Sequence, residues 1–463
     1  MKIKVLGAGG GEVTGSAYLI ETERAKVLVD CGIFQGGKQA EALNHFDKKD
    51  VSNLDAVVIT HAHLDHTGRL PLLSKMGTPA PVFCTGATVE LTALILRDSA
   101  HVQEQETMWL NRKRQRAGLQ KLRPLVSHED TKDIIKRLIS LPYDKDLPVA
   151  PGVKASFAEA GHLLGSACIQ LSIEEQGKVT KVIFSGDLGP KGVPILKDFE
   201  ELHQANAVFL ESTYGDRDHK PLKDTVDEFI SIVKTAVTAK GKILIPTFAV
   251  GRAQLMITIL ASMFRKNDIP PFPIFLDSPM AIEASRIYMR HKELYDEELL
   301  HFIEEKPMME DLRTLKICPT SEDSIAINNV PGPFMVLAGA GMCNAGRILH
   351  HLKYNLWKPE THVLIVGYQG SGTLGRMLVD GARTVRIFGD RIAVNATIHT
   401  LGGFSAHAGQ KDLLDWFSHL APANPKLNII HGENGPRNAL GEKIAGNFGI
   451  KAYYPDLNEE LNL

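Results

Sequence analysis

The chain has 463 residues, a formal net charge of -2 and a 44% hydrophobic fraction. That length exceeds what one hydrophobic core organises, so two domains are expected, and the near-neutral balance excludes capture of nucleic acid by global charge: an anionic partner must be held locally. The five cysteines are odd in number and set mostly in apolar segments, and the apolar run at the amino terminus is too short for a signal peptide, so buried thiols and a cytoplasmic location are expected.

In chain order, one local pattern recurs: a short apolar run rich in β-branched residues, then an acid or a histidine, then glycine or a turn. "KVLVDCG" ends in Asp30, and "DAVVITHAHLDH" in His61, His63, Asp65 and His66. "ASFAEAGHLLG" carries His162, "KVIFSGDLG" Asp187, "AVFLESTYG" Glu211, "ATIHTLGGFSAHAG" His407 and "LNIIHGE" His431. Such runs read as buried strands, and layered α/β architectures gather ligand groups beyond the carboxyl ends of their strands. A lone aspartate after a strand is usually a turn former or cap, and a lone histidine a satisfied polar residue. "HAHLDH" is different, because its four ligand-type side chains would strand one another's polar groups unless a cation held them.

A catalytic zinc takes three protein ligands, so this donor set is too large for one ion and suits two. His61 and His63 can serve one, while Asp65 and His66, at the start of the helix-like "HTGRLPLLSKMG", turn toward the other. His162, His431 and a bridging Asp187 complete the two spheres. The histidine content suits zinc, with manganese as the alternative.

Between the second and third of these motifs lies a helical-looking insertion carrying "NRKRQR". It reads first as a solvated helix face, and alternatively as an RNA-approach surface. Further on, "ILIPTFAVGRAQLMITILASMF" is apolar enough to raise a membrane span, but Pro246, Arg252 and Gln254 interrupt it. It reads as a buried strand, a loop and a helix, and no membrane partner is expected. Between Glu211 and His407 the chain alternates strand, glycine loop and helix, which argues for a parallel sheet flanked by helices. Metal ligands stand on both sides of that stretch, so it is expected as an inserted domain over 214–393, with 1–213 and 394–463 forming the two parts of the first domain. "GSGTLG" satisfies a dinucleotide pattern by letter only, and its backbone could equally bind RNA phosphate. Ser371 and Thr373 in that loop, with Arg252 and Arg347 beside other glycine turns, are the candidate RNA contacts.

"HAHLDH" with His162 and Asp187 resembles the metallo-β-lactamase fold, and the whole chain resembles its β-CASP branch of RNA-processing nucleases. The resemblance implies an α/β fold: an αββα sandwich with an inserted β-CASP domain and two zinc ions between its sheets. Carried over, it assigns His61, His63 and His162 to one zinc, Asp65, His66 and His431 to the other, Asp187 to the bridge and Asp30 to a supporting position. Glu211, His407 and His431 match the three motifs particular to the branch. In its DNA-processing members the last is typically not histidine, so His431 points to RNA. The implied activity is hydrolysis of single-stranded RNA by a metal-activated hydroxide, leaving 5′-phosphate and 3′-hydroxyl ends. Internal cutting is expected ahead of exonuclease action, with Asp65, Glu211 and His407 in catalytic roles and a homodimer as a compatible assembly. Two alternatives remain: an inactive, metal-bearing RNA-binding subunit, and a small-ester or thioester hydrolase, which would need neither the insertion nor the Glu211 and His407 pair.

Overall fold

The computed structural model describes residues 1–463 apart from 37–39, 41 and 371. It divides into two compact units, one of Met1–Lys191, Asp198–Asp218 and His407–Leu463, the other of Gly192–Lys197 and His219–Ala406.

Among the described residues the first unit holds two seven-stranded sheets. In spatial order the first runs Glu460–Asn462, Lys2–Gly7, Ala17–Glu21, Lys26–Val29, Ala56–Val58, Val82–Cys84 and Leu138–Ser140. The second runs Ala452–Tyr453, Lys426–Ile429, Ala207–Leu210, Lys178–Phe184, Ala167–Glu175, Val153–Glu159 and Leu147–Ala150. Strand alternation explains why they stack. Val27, Val29, Ala56 and Val58 share one buried core with Phe157, Ile169, Phe184 and Phe209 of the other sheet. Their neighbours of opposite parity, Leu28 and Val57, pack instead with Leu70, Leu73 and Leu96 from helices, while Ile183, Val208 and Ile429 pack with Trp416, Phe417 and Leu440. Both faces of both sheets are therefore covered, which is why these strands are apolar runs rather than strict alternations. The result is the αββα sandwich. At its centre Phe184 stacks on Phe209 at 4.6 Å, with Tyr18 against both.

Each sheet is half antiparallel and half parallel, and this sets where loops emerge. Lys26–Val29, Ala56–Val58 and Val82–Cys84 are mutually parallel, as are Lys178–Phe184, Ala207–Leu210 and Lys426–Ile429. Two antiparallel steps, through Ala167–Glu175, give Val153–Glu159 the same direction as Lys178–Phe184. Chain leaving these strands thus emerges along the same edge of its sheet.

The second unit carries a six-stranded, all-parallel sheet in the order Leu315–Ile317, Ile274–Leu276, Phe334–Ala338, Lys242–Pro246, Thr361–Ile365 and Thr397–Thr400. The apolar stretch from Ile243 resolves into the strand Lys242–Pro246, a turn and the helix Arg252–Arg265. Among the described residues no helix is long and apolar enough to cross a membrane. By contacts this unit extends to Ala406, because Thr397–Thr400 pairs with Thr361–Ile365.

At the carboxyl end of Ile274–Leu276, Asp277 is fully buried and accepts hydrogen bonds from Ser324 Oγ at 2.6 Å and Arg347 Nη1 at 2.7 Å, with His351 Nε2 at 2.6 Å. Burial opposes its ionisation, but His351, Ser324 and Arg347 hold its carboxyl below the usual aspartate range. Since the folded pKa lies below the unfolded one, the stabilisation is complete above the unfolded value, ~3.9, and is lost as pH falls through it toward the folded value. Asp277→Asn should cost about 3 kcal/mol at pH 7, and the gap in thermal midpoint between wild type and variant should narrow as pH drops below ~4. A gap independent of pH would contradict the ionised role.

Candidate metal centre

Local constraints put the clustered ligands on one short bend. His63 precedes a single helical turn, Leu64–Thr67, which packs onto the chain after the strand Lys26–Val29: Cys31 N–H donates to His66 O at 2.8 Å and Ser16 N–H to Asp65 O at 2.8 Å. The approach is so close that a Cβ on Gly32 would lie 1.5 Å from Asp65 O, so only glycine fits there.

The seven candidate ligands converge from the strand ends. His61, His63, His162 and Asp187 form one group, and Asp65, His66 and His431 a second, with ligand atoms in each within 4.8 Å of one another. His61 Nε2 and His162 Nε2 lie 3.1 and 3.2 Å from His63 Nδ1. Asp187 sits between the groups. Its Oδ2 is 3.5 Å from His61 Nε2 and 3.6 Å from His162 Nε2, while its Oδ1 is 3.3 Å from His66 Nε2 and 3.5 Å from His431 Nδ1. Each carboxylate oxygen therefore faces a different set.

Asp30 stands behind the centre. It takes His66 Nδ1 at 2.7 Å on Oδ2 and Thr60 N–H at 2.8 Å on Oδ1, which turns His66 Nε2 inward. The Thr60 hydroxyl lies 2.9 Å from Asp30 Oδ2 and 3.1 Å from His61 Nδ1. Thr213 Oγ1 lies 3.2 Å from His431 Nδ1, and Ser185 Oγ accepts Glu211 N–H at 3.0 Å. Sequence reasoning missed Thr60, Thr213 and Ser185. The signal available was adjacency: each lies within two residues of a ligand-type side chain.

Glu211 is fully buried and anchored by backbone, accepting Leu188 N–H at 2.7 Å and Thr213 N–H at 3.2 Å. Its Oε1 is 3.5 Å from His407 Nδ1, and the His407 side chain keeps 21% exposure. Burial disfavours the imidazolium, but the carboxylates of Glu211, Asp187 and Asp65, Glu211 foremost, together outweigh it and raise the pKa of His407.

The donor set fits a bound cation. Imidazole nitrogens that face one another at 3.1–3.2 Å can share protons only in part, and Asp187 Oδ1 and His431 Nε2 are buried with no hydrogen bond. Protonation fits as well. Burial keeps His61 well below the usual histidine range and brings His63 down to about 4. Burial also opposes ionisation of Asp65, yet the His431 imidazole, 3.8 Å from its Oδ2, leads the effects that hold it at about 2. For Asp187, His431, His66 and His61 overcome burial and hold the carboxyl well below its ordinary value. His66 and His431 shift the other way: burial opposes their charge, but Asp187 with Asp30 raises His66 and Asp187 with Asp65 raises His431. A divalent metal would therefore find His61 and His63 neutral and would displace protons from the other two rings.

The candidate RNA contacts fare differently. Arg347 donates to Asp277, to Cys318 O at 2.7 Å and to Pro319 O at 3.1 Å, so its guanidinium is committed within the second unit. Thr373 caps the helix Leu374–Val379 and donates to Gly370 O at 2.8 Å. Arg252 is buried at the start of its helix, and Ser371 lies outside the described residues. Sequence spacing near glycine turns does not distinguish an arginine that binds phosphate from one that ties loops together.

Three domain families match this chain: the metallo-β-lactamase superfamily over residues 10–246, the Beta-Casp domain over 253–378 and the Zn-dependent metallo-hydrolase RNA specificity domain over 391–455. The chain belongs to the metallo-β-lactamase superfamily, in its β-CASP branch. Among its relatives is Ribonuclease TTHA0252 of Thermus thermophilus, 40% identical over 96% of each chain. Another is the transcription termination factor FttA of Cenarchaeum symbiosum, 32% identical over all of this chain and 71% of that protein. A crystal structure of a protein of unknown function from Enterococcus faecalis shares the fold, with a TM-score of 0.54 at 14% identity over 100% of this chain and 99% of the other. The metallo-hydrolase match and the histidine and aspartate cluster together point to metal binding.

Asp187→Ala should strip metal from both ligand sets, measured as metal per chain after gel filtration. Asp30→Asn should retain the fold but weaken metal binding about 10–100-fold in competition with a chromophoric chelator. Unchanged occupancy in Asp187→Ala would overturn the bridging assignment.

Proposed function

We propose that this protein is a zinc-dependent ribonuclease that hydrolyses phosphodiester bonds in single-stranded RNA, cutting internally and leaving 5′-phosphate and 3′-hydroxyl ends. The observation that carries this reading is Asp187, with one oxygen toward each ligand set, beside the His407 and Glu211 pair. The match to an RNA specificity domain and the relationship to a ribonuclease of nearly equal length support RNA as the substrate. Five buried, unpaired cysteines suit the reducing cytoplasm. The hydrolase chemistry is assigned to the first unit, Met1–Lys191, Asp198–Asp218 and His407–Leu463, with the inserted domain ending near Ala406 rather than at 393.

His61, His63 and His162, and Asp65, His66 and His431, with Asp187 facing both sets, would hold two zinc ions, which when bound would lower the pKa of water toward neutrality and offset charge on the phosphoryl oxygens. The chain's own groups do the rest. Asp30 fixes the tautomer and ring plane of His66 through Nδ1. Asp65 stays ionised throughout the working range. Glu211, locked by two backbone N–H groups, keeps the Nδ1 proton of His407, and His407 Nε2 delivers a proton to the departing 3′-oxygen. Because water is the nucleophile, the 2′-hydroxyl of the substrate takes no part.

His407→Ala should keep its metal and lose about 10²–10⁴-fold in turnover on labelled single-stranded RNA. RNA with a 2′-O-methyl group at the cleavage position should still be cut, and a chelator should stop all cutting. Product ends carrying 2′,3′-cyclic phosphate in mass spectrometry would exclude the scheme, and equal turnover in His407→Ala would remove its assigned role.

A further inference from the structure

The helix Gly86–Arg116 is 31 residues long, and its buried positions end at Ala100. Its base is fixed: the hydroxyls of Thr85 and Thr88 donate to Gly165 O at 2.6 and 2.8 Å, on the loop that carries His162. At about 1.5 Å of rise per residue, Trp109 lies about 35 Å from Gly86. Trp109, Arg112, Lys113 and Arg116 follow the spacing i, i+3, i+4, i+7 and share one face. Lys113 Nζ sits 3.5 Å from the Trp109 ring centroid, and the indole is 56% exposed.

The chain then folds back on itself. Leu119 N–H donates to Arg114 O at 2.9 Å, and the Asn111 side chain exchanges two hydrogen bonds with the Leu122 backbone, at 2.7 and 2.9 Å. This brings Lys121 and Arg123 alongside the helix end. Between Glu106 and Glu129 the sequence has six arginines and lysines and no acid. None of the six has a carboxylate partner among the described residues. Glu104 and Glu106 lie toward the anchored end, and Glu104 is paired with His128 Nδ1 at 2.9 Å. In a chain of net charge -2, this is a concentrated, uncompensated positive tip.

We propose that the tip of this helical hairpin is a second, non-catalytic contact for single-stranded RNA, in which the cations take backbone phosphates and Trp109 stacks a base. The proposal rests on the RNA reading above. Two features select this occupant. Helices that lie on membranes separate cations and apolar residues onto opposite faces, whereas here tryptophan and cations share one face, the interleaving that single-stranded nucleic acid uses. A second copy of the chain would set six uncompensated cations against six.

The test uses the full-length, zinc-loaded protein and fluorescein-labelled oligoadenylate RNAs of about 30 and about 6 nucleotides, the longer able to reach a tip tens of ångströms from the helix base. Binding is read by anisotropy across a salt series in the His407→Ala background, and cutting separately in the wild-type background. Substituting serine at Arg112, Lys113, Arg114 and Arg116 together should weaken binding of the long RNA about tenfold or more. It should also flatten the slope of log Kd against log salt by about 0.7 for each phosphate that is no longer neutralised. Trp109→Ala should weaken long-RNA binding about fivefold or more with little change in slope. Cutting of the short RNA should be unchanged in both. If the fourfold variant has a lowered thermal midpoint, Trp109→Ala alone decides. Unchanged affinity and slope overturn the proposal, as does binding of wild type, but not variant, to phosphatidylserine vesicles with no effect on RNA. Should the wild type cut no RNA at all, the nuclease reading fails, while the binding series still decides whether the tip holds RNA.

Discussion

Five histidines and two aspartates packed against one another inside a protein are tolerable only if something cationic lies among them. This constraint organises the first unit. Buried imidazoles with nitrogens directed at one another forfeit hydrogen bonds to water, and a carboxylate oxygen such as Asp187 Oδ1 has no hydrogen bond to replace them. Everything around the cluster holds these groups in place. Asp30 and Thr60 fix the rings from behind, Gly32 lets the turn that carries Asp65 and His66 close against the strand end, and parallel strands in two sheets deliver the remaining donors to the same region. A looser framework would let the rings turn away from one another and rehydrate.

Much of this was legible in the sequence because the donors sit in a pattern with a physical cause. A buried strand can carry a polar residue only where it leaves the sheet, so apolar runs ending in Asp30, His61, Asp187, Glu211 and His431 mark one edge by residue order alone. The sandwich itself was implied by the family resemblance rather than read from periodicity; with both faces covered, strands such as Ala56–Val58 and Ala207–Leu210 are apolar at every position. Thr60, Thr213 and Ser185 were not legible. Small hydroxyl residues are common beside strands, and only the folded geometry separates those that bond to a ligand from those that bond to the backbone.

The arginines of the second unit show what sequence order hides. A guanidinium beside a glycine turn looks like a phosphate ligand in sequence, but Asp277 is distant along the chain from Arg347 and His351 and leaves no local trace of the pairing. By contrast, the cations at the end of Gly86–Arg116 are grouped along the sequence itself, with no acid among them, and have no carboxylate partner among the described residues.

The order of the chain carries a further consequence. The strand Lys426–Ile429, which precedes His431, pairs with Ala207–Leu210 across the whole inserted unit, and Glu460–Asn462 closes the other sheet against Lys2–Gly7. During synthesis, therefore, the sandwich lacks strands of both sheets until these later segments have been made, although most of the donor residues precede them. The donor cluster thus lacks His431 until chain beyond the inserted unit has been made, and the nascent protein up to that point is a latent form.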